Sequence, residues 1–138
     1  MRAPALLLRT GLWFLGLSSL AVGLWQSLLP RSFFALEWVG AYPPYNDHLL
    51  RDVGGLNLAL GVVVVGAAVV MERRMVITAL LGYLTYAATH LLFHGISTGH
   101  VHPVDVPGLI AALGAGVLIP IGLLVLAWRD GAGAPPIR

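Results

Sequence analysis

Five histidines, with three aspartates close to them, set the chemical options for this chain. His48 stands at the start of the second long hydrophobic segment, His90 and His94 close the third, and His100 and His102 sit in the loop that follows. On a helix, residues four apart share a face, so His90 with His94 and His48 with Asp52 each form a pair able to hold one ion or pass one proton. Imidazole with carboxylate suits Zn, Cu, Fe or Ni and disfavours Mg and Ca, which take oxygen ligands. A transition-metal site (Zn, Cu or Fe) is therefore expected from His48, Asp52, His90 and His94. His100 and His102 stand second to them, because residues two apart in an extended loop point the same way and could chelate together, or could equally be a solvated polar loop. The residues between His90 and His94 are Leu91, Leu92 and Phe93, so the glutamate of the zinc-protease helix is missing and that mechanism is excluded. Haem held by His48 and His90 on facing helices, or a quinone, ranks behind the metal. Histidine beside aspartate near a membrane surface also allows proton transfer with no metal at all.

Around these ligands lie residues suited to a pocket. Asp47, Arg51, Gly54, Asn57 and Gly61 fall on one helical stripe, with His48 and Asp52 on the next. Asn57 is the deepest polar side chain of that segment and is expected to make an interhelical hydrogen bond beside the small residues. Asp52, charged at the edge of an apolar run, is expected to face the bundle and pair with Arg51 or a histidine. Tyr83 and Tyr86 lie one and two turns inward of His90 and His94 and should line the interior with them. The expected ligand set is thus Asp47, His48, Arg51, Asp52, Asn57, Tyr83 and Tyr86, in a site between the second and third long segments. Nucleophile motifs, phosphate-binding glycine loops and dinucleotide fingerprints are lacking.

The elements that must position these residues are legible from composition. The chain has 138 residues, 58% hydrophobic and only 10% charged, against roughly 25% charged in a soluble domain. Four runs are long enough to cross a bilayer: about 5–29, 53–71, 75–93 and 107–128. A hydrocarbon core of ~30 Å needs about 20 helical residues at 1.5 Å each. In lipid these runs must be helices. The first is too long for a signal-peptide core and has no clean small-residue cleavage motif, so it counts as a span. The expected fold is all-α: a single-domain integral membrane antiparallel four-helix bundle over residues 1–138, with 129–138 as a flexible Gly/Pro tail. Asn46 is placed to cap the second span and Asp105 the fourth. The stretch from Ser32 to Val39 should form a brief interfacial helix.

Four spans put both termini on one side. That side holds Arg2, Arg9, Arg73, Arg74, Arg129 and Arg138 against Glu72 and Asp130; the other holds Arg31 and Arg51 against Glu37, Asp47, Asp52 and Asp105. The positive-inside rule then makes both termini cytoplasmic, in the inner (plasma) membrane. The turn at Glu72-Arg73-Arg74 folds the second and third spans into an antiparallel hairpin, and the histidine-bearing loops face outward. The chain has no cysteine, which excludes disulfides, thiolate metal sites and iron–sulfur clusters. The net charge of +2 rests on scattered arginines and does not point to nucleic acid. Arginine without lysine, among abundant Ala, Gly, Val and Leu, suggests a GC-rich bacterial source.

The run from Pro44 to Gly61, with Arg51-Asp52 at the start of a helix followed by Gly54-Gly55 and a Leu/Ala-rich span, resembles small bacterial four-helix membrane proteins of the DoxX-like kind. His90 with Phe93-His94 at the end of the third helix fits the same pattern. The resemblance covers two of the four spans. It implies the four-helix membrane fold and, through some relatives, a link to quinone-coupled sulfur oxidation; it assigns no catalytic residue. Partners expected from the sequence are the lipid bilayer and, through Ala- and Gly-rich faces, a second copy or a larger membrane complex. An enzyme, an accessory subunit whose polar network specifies packing, and a small transporter all remain open. A transporter is disfavoured by the lack of deep intramembrane charge.

Overall fold

The computed structural model describes residues 3–130, and every regular element among them is helical. α1 (Ala3–Leu28) leads into two short helices, α2 (Pro30–Phe34) and α3 (Glu37–Gly40). α4 (Asp47–Val70), α5 (Arg73–Ile96), a 3-10 turn at Thr98–His100 and α6 (Val106–Asp130) follow. α1, α4, α5 and α6 are each long and apolar enough to cross a membrane, at the positions the four hydrophobic runs predict. The segment from Ser32 to Val39 falls in two short helices, α2 and α3, in place of one. Arg129 and Asp130 continue α6, and the remainder of the expected flexible tail lies outside the described residues.

Local chemistry sets the helix ends. The Asn46 side chain accepts a hydrogen bond from the Leu49 N–H at 3.0 Å, so α4 starts well before its apolar run. α4 closes on Met71 in the left-handed region (φ 56°). Glu72 then caps α5, accepting from the N–H groups of Arg74 at 3.0 Å and Met75 at 2.8 Å. Reversal within two residues makes α4 and α5 an antiparallel hairpin, as expected.

The most extensive packing lies elsewhere, between α1 and α4 and between α5 and α6. Gly16 and Gly23 on α1 meet Gly54 and Gly61 on α4, each pair seven residues apart and so on one helix face. A Cβ at Gly23 would stand 2.8 Å from the Gly54 carbonyl oxygen and 2.9 Å from the Leu58 nitrogen; one at Gly61 would stand 3.0 Å from the Leu20 nitrogen. Backbones approach this closely only where no side chain intervenes, the usual basis of tight helix pairing in lipid.

Depth divides the bundle in two. Towards the Met71–Glu72 end, Leu12, Leu15, Val64, Val76, Leu80 and Leu124 form a dry core. Towards the opposite end, called here the loop end, lie the buried polar side chains, Ser19, Gln26, Asn57 and His94, among buried Ala87, Val101 and Leu109. Outward positions are apolar, among them Leu56 (70% exposed), Leu92 (65%) and Leu118 (69%). A surface of that kind is suited to lipid tails, not to water.

Candidate functional site

α1 and α4 bring the first polar pair together. Because the glycine stripe of α4 is pressed onto α1, Asn57 on that stripe faces Gln26, and its Nδ2 donates to Gln26 Oε1 at 2.9 Å. Among the described residues no buried side-chain nitrogen or oxygen lacks a partner. The interhelical hydrogen bond expected of Asn57 is present. Its partner, Gln26, was not singled out in the sequence.

Beside this pair lies a cavity of about 230 Å³ walled by all four long helices. α1 contributes Ser18, Ser19 and Val22; α4 contributes Asn57; α5 contributes Tyr83, Tyr86, Ala87 and His90; α6 closes it with Ala112, Leu113 and Gly116. Its depth is the loop-end half of the apolar spans. Val22, Tyr86 and Ala112 are exposed, so the cavity opens on the outer face of the bundle. Its polar groups are hydroxyls, a carboxamide and an imidazole, and among the described residues no Asp, Glu, Arg or Lys lines it. Such a set can donate to and accept from an uncharged ligand, but it offers no countercharge to an ion.

His90 connects this cavity to the loop end. Its ring stacks on Tyr86 (centroids 5.7 Å apart, 12° between planes) and meets His94 edge to face at 4.7 Å. His94 is buried, with its Nδ1 3.0 Å from the Tyr42 hydroxyl. Tyr42 donates its one proton to the Ser97 carbonyl at 2.7 Å. With that proton committed, the contact to His94 requires His94 Nδ1–H as the donor, which leaves Nε2 with a free lone pair.

The start of α4 behaves differently from expectation. His48 Nε2 lies 3.3 Å from Asp52 Oδ2, so the pair forms, but the side chains are 87% and 58% exposed. Asp52 was expected to face the bundle. Turning Gly54, Asn57 and Gly61 onto α1 swings the neighbouring stripe outward, so His48 and Asp52 do not join His90 and His94. Among the described residues no three His, Asp or Glu side chains converge where a metal ion could sit. His100 and His102 do not lie in an extended segment either. His100 ends the 3-10 turn with its ring 5.5 Å from that of Tyr42, and His102 Nδ1 accepts from the Val104 N–H at 3.4 Å within its own turn.

Asp47 and Arg51 act as a clamp. Arg51 Nε donates to Asp47 Oδ2 at 2.7 Å while its Nη1 donates to the Ser27 carbonyl in the last turn of α1 at 2.5 Å. A guanidinium at that position satisfies a carbonyl the helix cannot pair itself and complements the negative end of its dipole. The Tyr45 hydroxyl donates to Asp47 Oδ1 at 2.7 Å, which holds the phenol above its usual pKa, and Arg31 lies over the Tyr45 ring at 5.5 Å. Asp47 and Arg51 thus fasten α1 to α4 at the loop end, away from the cavity.

No family model, curated protein or solved structure matches the chain. What the site can do has to come from its geometry.

Of the residues expected in a site, Asn57, Tyr83, Tyr86 and His90 share the cavity, and His94 stands directly behind His90. Ser18 and Ser19 complete it from α1. Ser19 carries a signal in the sequence: Gly16, Ser19, Gly23 and Gln26 recur every three or four residues in an otherwise large apolar segment, marking one small, polar face.

Proposed function

We propose that this chain is a multi-pass protein of the inner (plasma) membrane, both termini cytoplasmic, whose cavity binds an uncharged, membrane-dissolved molecule with a hydrogen-bonding ring, of the quinone or quinol class. One observation carries this reading: a cavity at the depth of the spans has six polar side chains in its wall and no charged one. A ligand arriving from lipid meets an opening on the bundle's outer face. Phenol, imidazole, hydroxyl and carboxamide groups can serve a carbonyl or a hydroxyl on the ring, and Tyr86 and His90 offer flat faces for stacking.

The size fits a head group. About 230 Å³ is below the ~300–1,000 Å³ typical of pockets that enclose a drug-sized ligand, so a ring would enter while its hydrocarbon tail stays among the lipids. The cytoplasmic placement of the termini is supported by the arginines at the Met71–Glu72 end. Membrane insertion is supported by the apolar outward faces. A transition-metal site has two imidazoles in contact, His90 and His94, but among the described residues no third His, Asp or Glu converges on them, so the ring-binding reading is preferred.

Equilibrium binding of decylubiquinone to the full chain in lipid nanodiscs tests the proposal. Saturable binding, weakened at least tenfold in Asn57→Leu and in His90→Leu, is expected. Uptake that follows lipid volume with no saturation, or saturable binding that both variants leave intact, contradicts it.

A further inference from the structure

A line of ring contacts joins the cavity to the loop end. It runs from Tyr86 and His90 in the cavity wall, through buried His94, to Tyr42 and then to exposed His100. The successive centroid separations are 5.7, 4.7, 5.0 and 5.5 Å. Only the link between His94 and Tyr42 is a direct hydrogen bond, at 3.0 Å. Packing alone does not call for this composition, since Leu or Phe would fill the same space without a polar group to satisfy. Ionisable side chains within a span are costly and tend to mark pathways for ions or protons.

We propose that His90, His94 and Tyr42 form a proton path between the cavity and the loop end, with His100 at its outer mouth. The proposal rests on the reading that the cavity holds a ligand able to exchange a hydroxyl proton. His94 starts with its proton on Nδ1 and a lone pair on Nε2. A proton passed from His90 to Nε2 makes His94 an imidazolium. The Tyr42 hydroxyl rotates its proton away from the Ser97 carbonyl and releases it to water or to His100, and its oxygen takes the Nδ1 proton of His94. His90 takes a proton from the ligand hydroxyl in exchange, which leaves the ligand oxygen as its conjugate base, accepting hydrogen bonds from the hydroxyl and carboxamide groups of the cavity wall. One proton has moved outward, each O–H or N–H bond broken is matched by one formed, and nothing is oxidised or reduced. Rotation of the Tyr42 hydroxyl and reorientation of the His94 ring restore the starting arrangement.

The surroundings favour transfer along the line and not capture on the way. The rings in contact with His90 and His94 are those of Tyr86, Tyr42 and Phe93, and among the described residues no carboxylate forms an ion pair with either imidazole. The ion pairs of the described residues, His48 with Asp52 and Arg51 with Asp47, lie on the exposed start of α4. A proton on the line thus meets no fixed countercharge that would trap it.

The test is the exchange rate of the His90 ring N–H with water, measured by NMR on ligand-free, ¹⁵N-histidine-labelled full chain in nanodiscs. Tyr42→Phe keeps the ring and removes the hydroxyl. Exchange at least tenfold slower in Tyr42→Phe, and again in His94→Phe, is the expected result. A loosened loop would speed exchange, so slowing cannot come from damage to the fold. Unchanged or faster exchange in both variants overturns the path and means that protons reach His90 through the cavity opening. Decylubiquinone binding by the same wild-type sample is read separately. Its absence would remove the ligand while the exchange result still judges the path.

Discussion

Asn57 in α4 donates to Gln26 in α1 at 2.9 Å, with both side chains buried, and this bond lies beside the glycine contact that brings the two backbones together. The small residues permit the approach and the amide pair fixes its register. Removing either amide strands the other among apolar groups, at a cost of about 1–3 kcal/mol. Gln26→Leu and Asn57→Leu should each lower unfolding stability in mild detergent, and the double variant should lose less than the sum. The coupling expected is about 0.6 kcal/mol, up to ~1.7, the range for hydrogen bonds between membrane helices. Strictly additive losses would mean the two amides do not act as a pair.

The glycines give a steric prediction. At Gly23 an added side chain meets backbone atoms at 2.8 and 2.9 Å, whereas at Gly82 and Gly114 nothing lies within 4 Å. Gly23→Val should destabilise the bundle by about 1–3 kcal/mol, the usual cost of overpacking. Gly82→Ala and Gly114→Ala should be neutral or slightly stabilising, since alanine is the better helix former. Thermal melts of the three variants check this, and equal melting points would refute the close α1–α4 contact.

Glu72 makes the α5 cap sensitive to acid. Two backbone N–H groups, from Arg74 and Met75, hold its carboxyl below the ordinary value. A group whose folded pKa is depressed stabilises fully above its unfolded pKa, and that contribution is lost as pH falls through the folded pKa. Protection of the Arg74 and Met75 amides, corrected for intrinsic exchange, should be constant near neutrality and decline below about pH 4. Glu72→Ala should abolish this pH dependence. A wild-type profile that stays flat into acid would show that the cap is not formed.

Orientation can be tested cleanly because the chain has no cysteine of its own. In intact spheroplasts, a membrane-impermeant maleimide should label Thr98→Cys at once, but Arg74→Cys only after lysis. The reverse pattern would invert the topology and place the cavity in the cytoplasmic half.

The sequence makes the four spans legible because each is a long apolar run, and the α4 start because Asn46 is a strong cap. Asn57, Tyr83, Tyr86 and His90 were also readable, as polar side chains too deep for water to reach. Which residues meet was harder. Helical period put His48 and Asp52 one stripe away from Asn57, but only the glycine contact with α1 decides which stripe turns inward. Span pairing followed the same logic: chain order suggests α4 against α5, while close backbone approach puts α4 against α1. Ser19 and Gln26 share a small, polar face with Gly16 and Gly23 that is legible in the sequence, but the helix this face meets is set only by the contact with α4, and Ser18 lies outside that pattern. Tyr42 sits 52 residues from His94 in the chain, beyond the reach of any local pattern.

The cavity among the four long helices is proposed to take a ring-bearing ligand from the membrane. Photolabelling with an azido-quinone in nanodiscs, followed by peptide mapping, tests it most directly. Adducts should concentrate on the peptides carrying Ser18–Val22, Tyr83–His90 and Ala112–Gly116, and unlabelled decylubiquinone should compete them away. Adducts scattered over lipid-facing residues such as Leu56, Leu92 and Leu118, and insensitive to competitor, would contradict it.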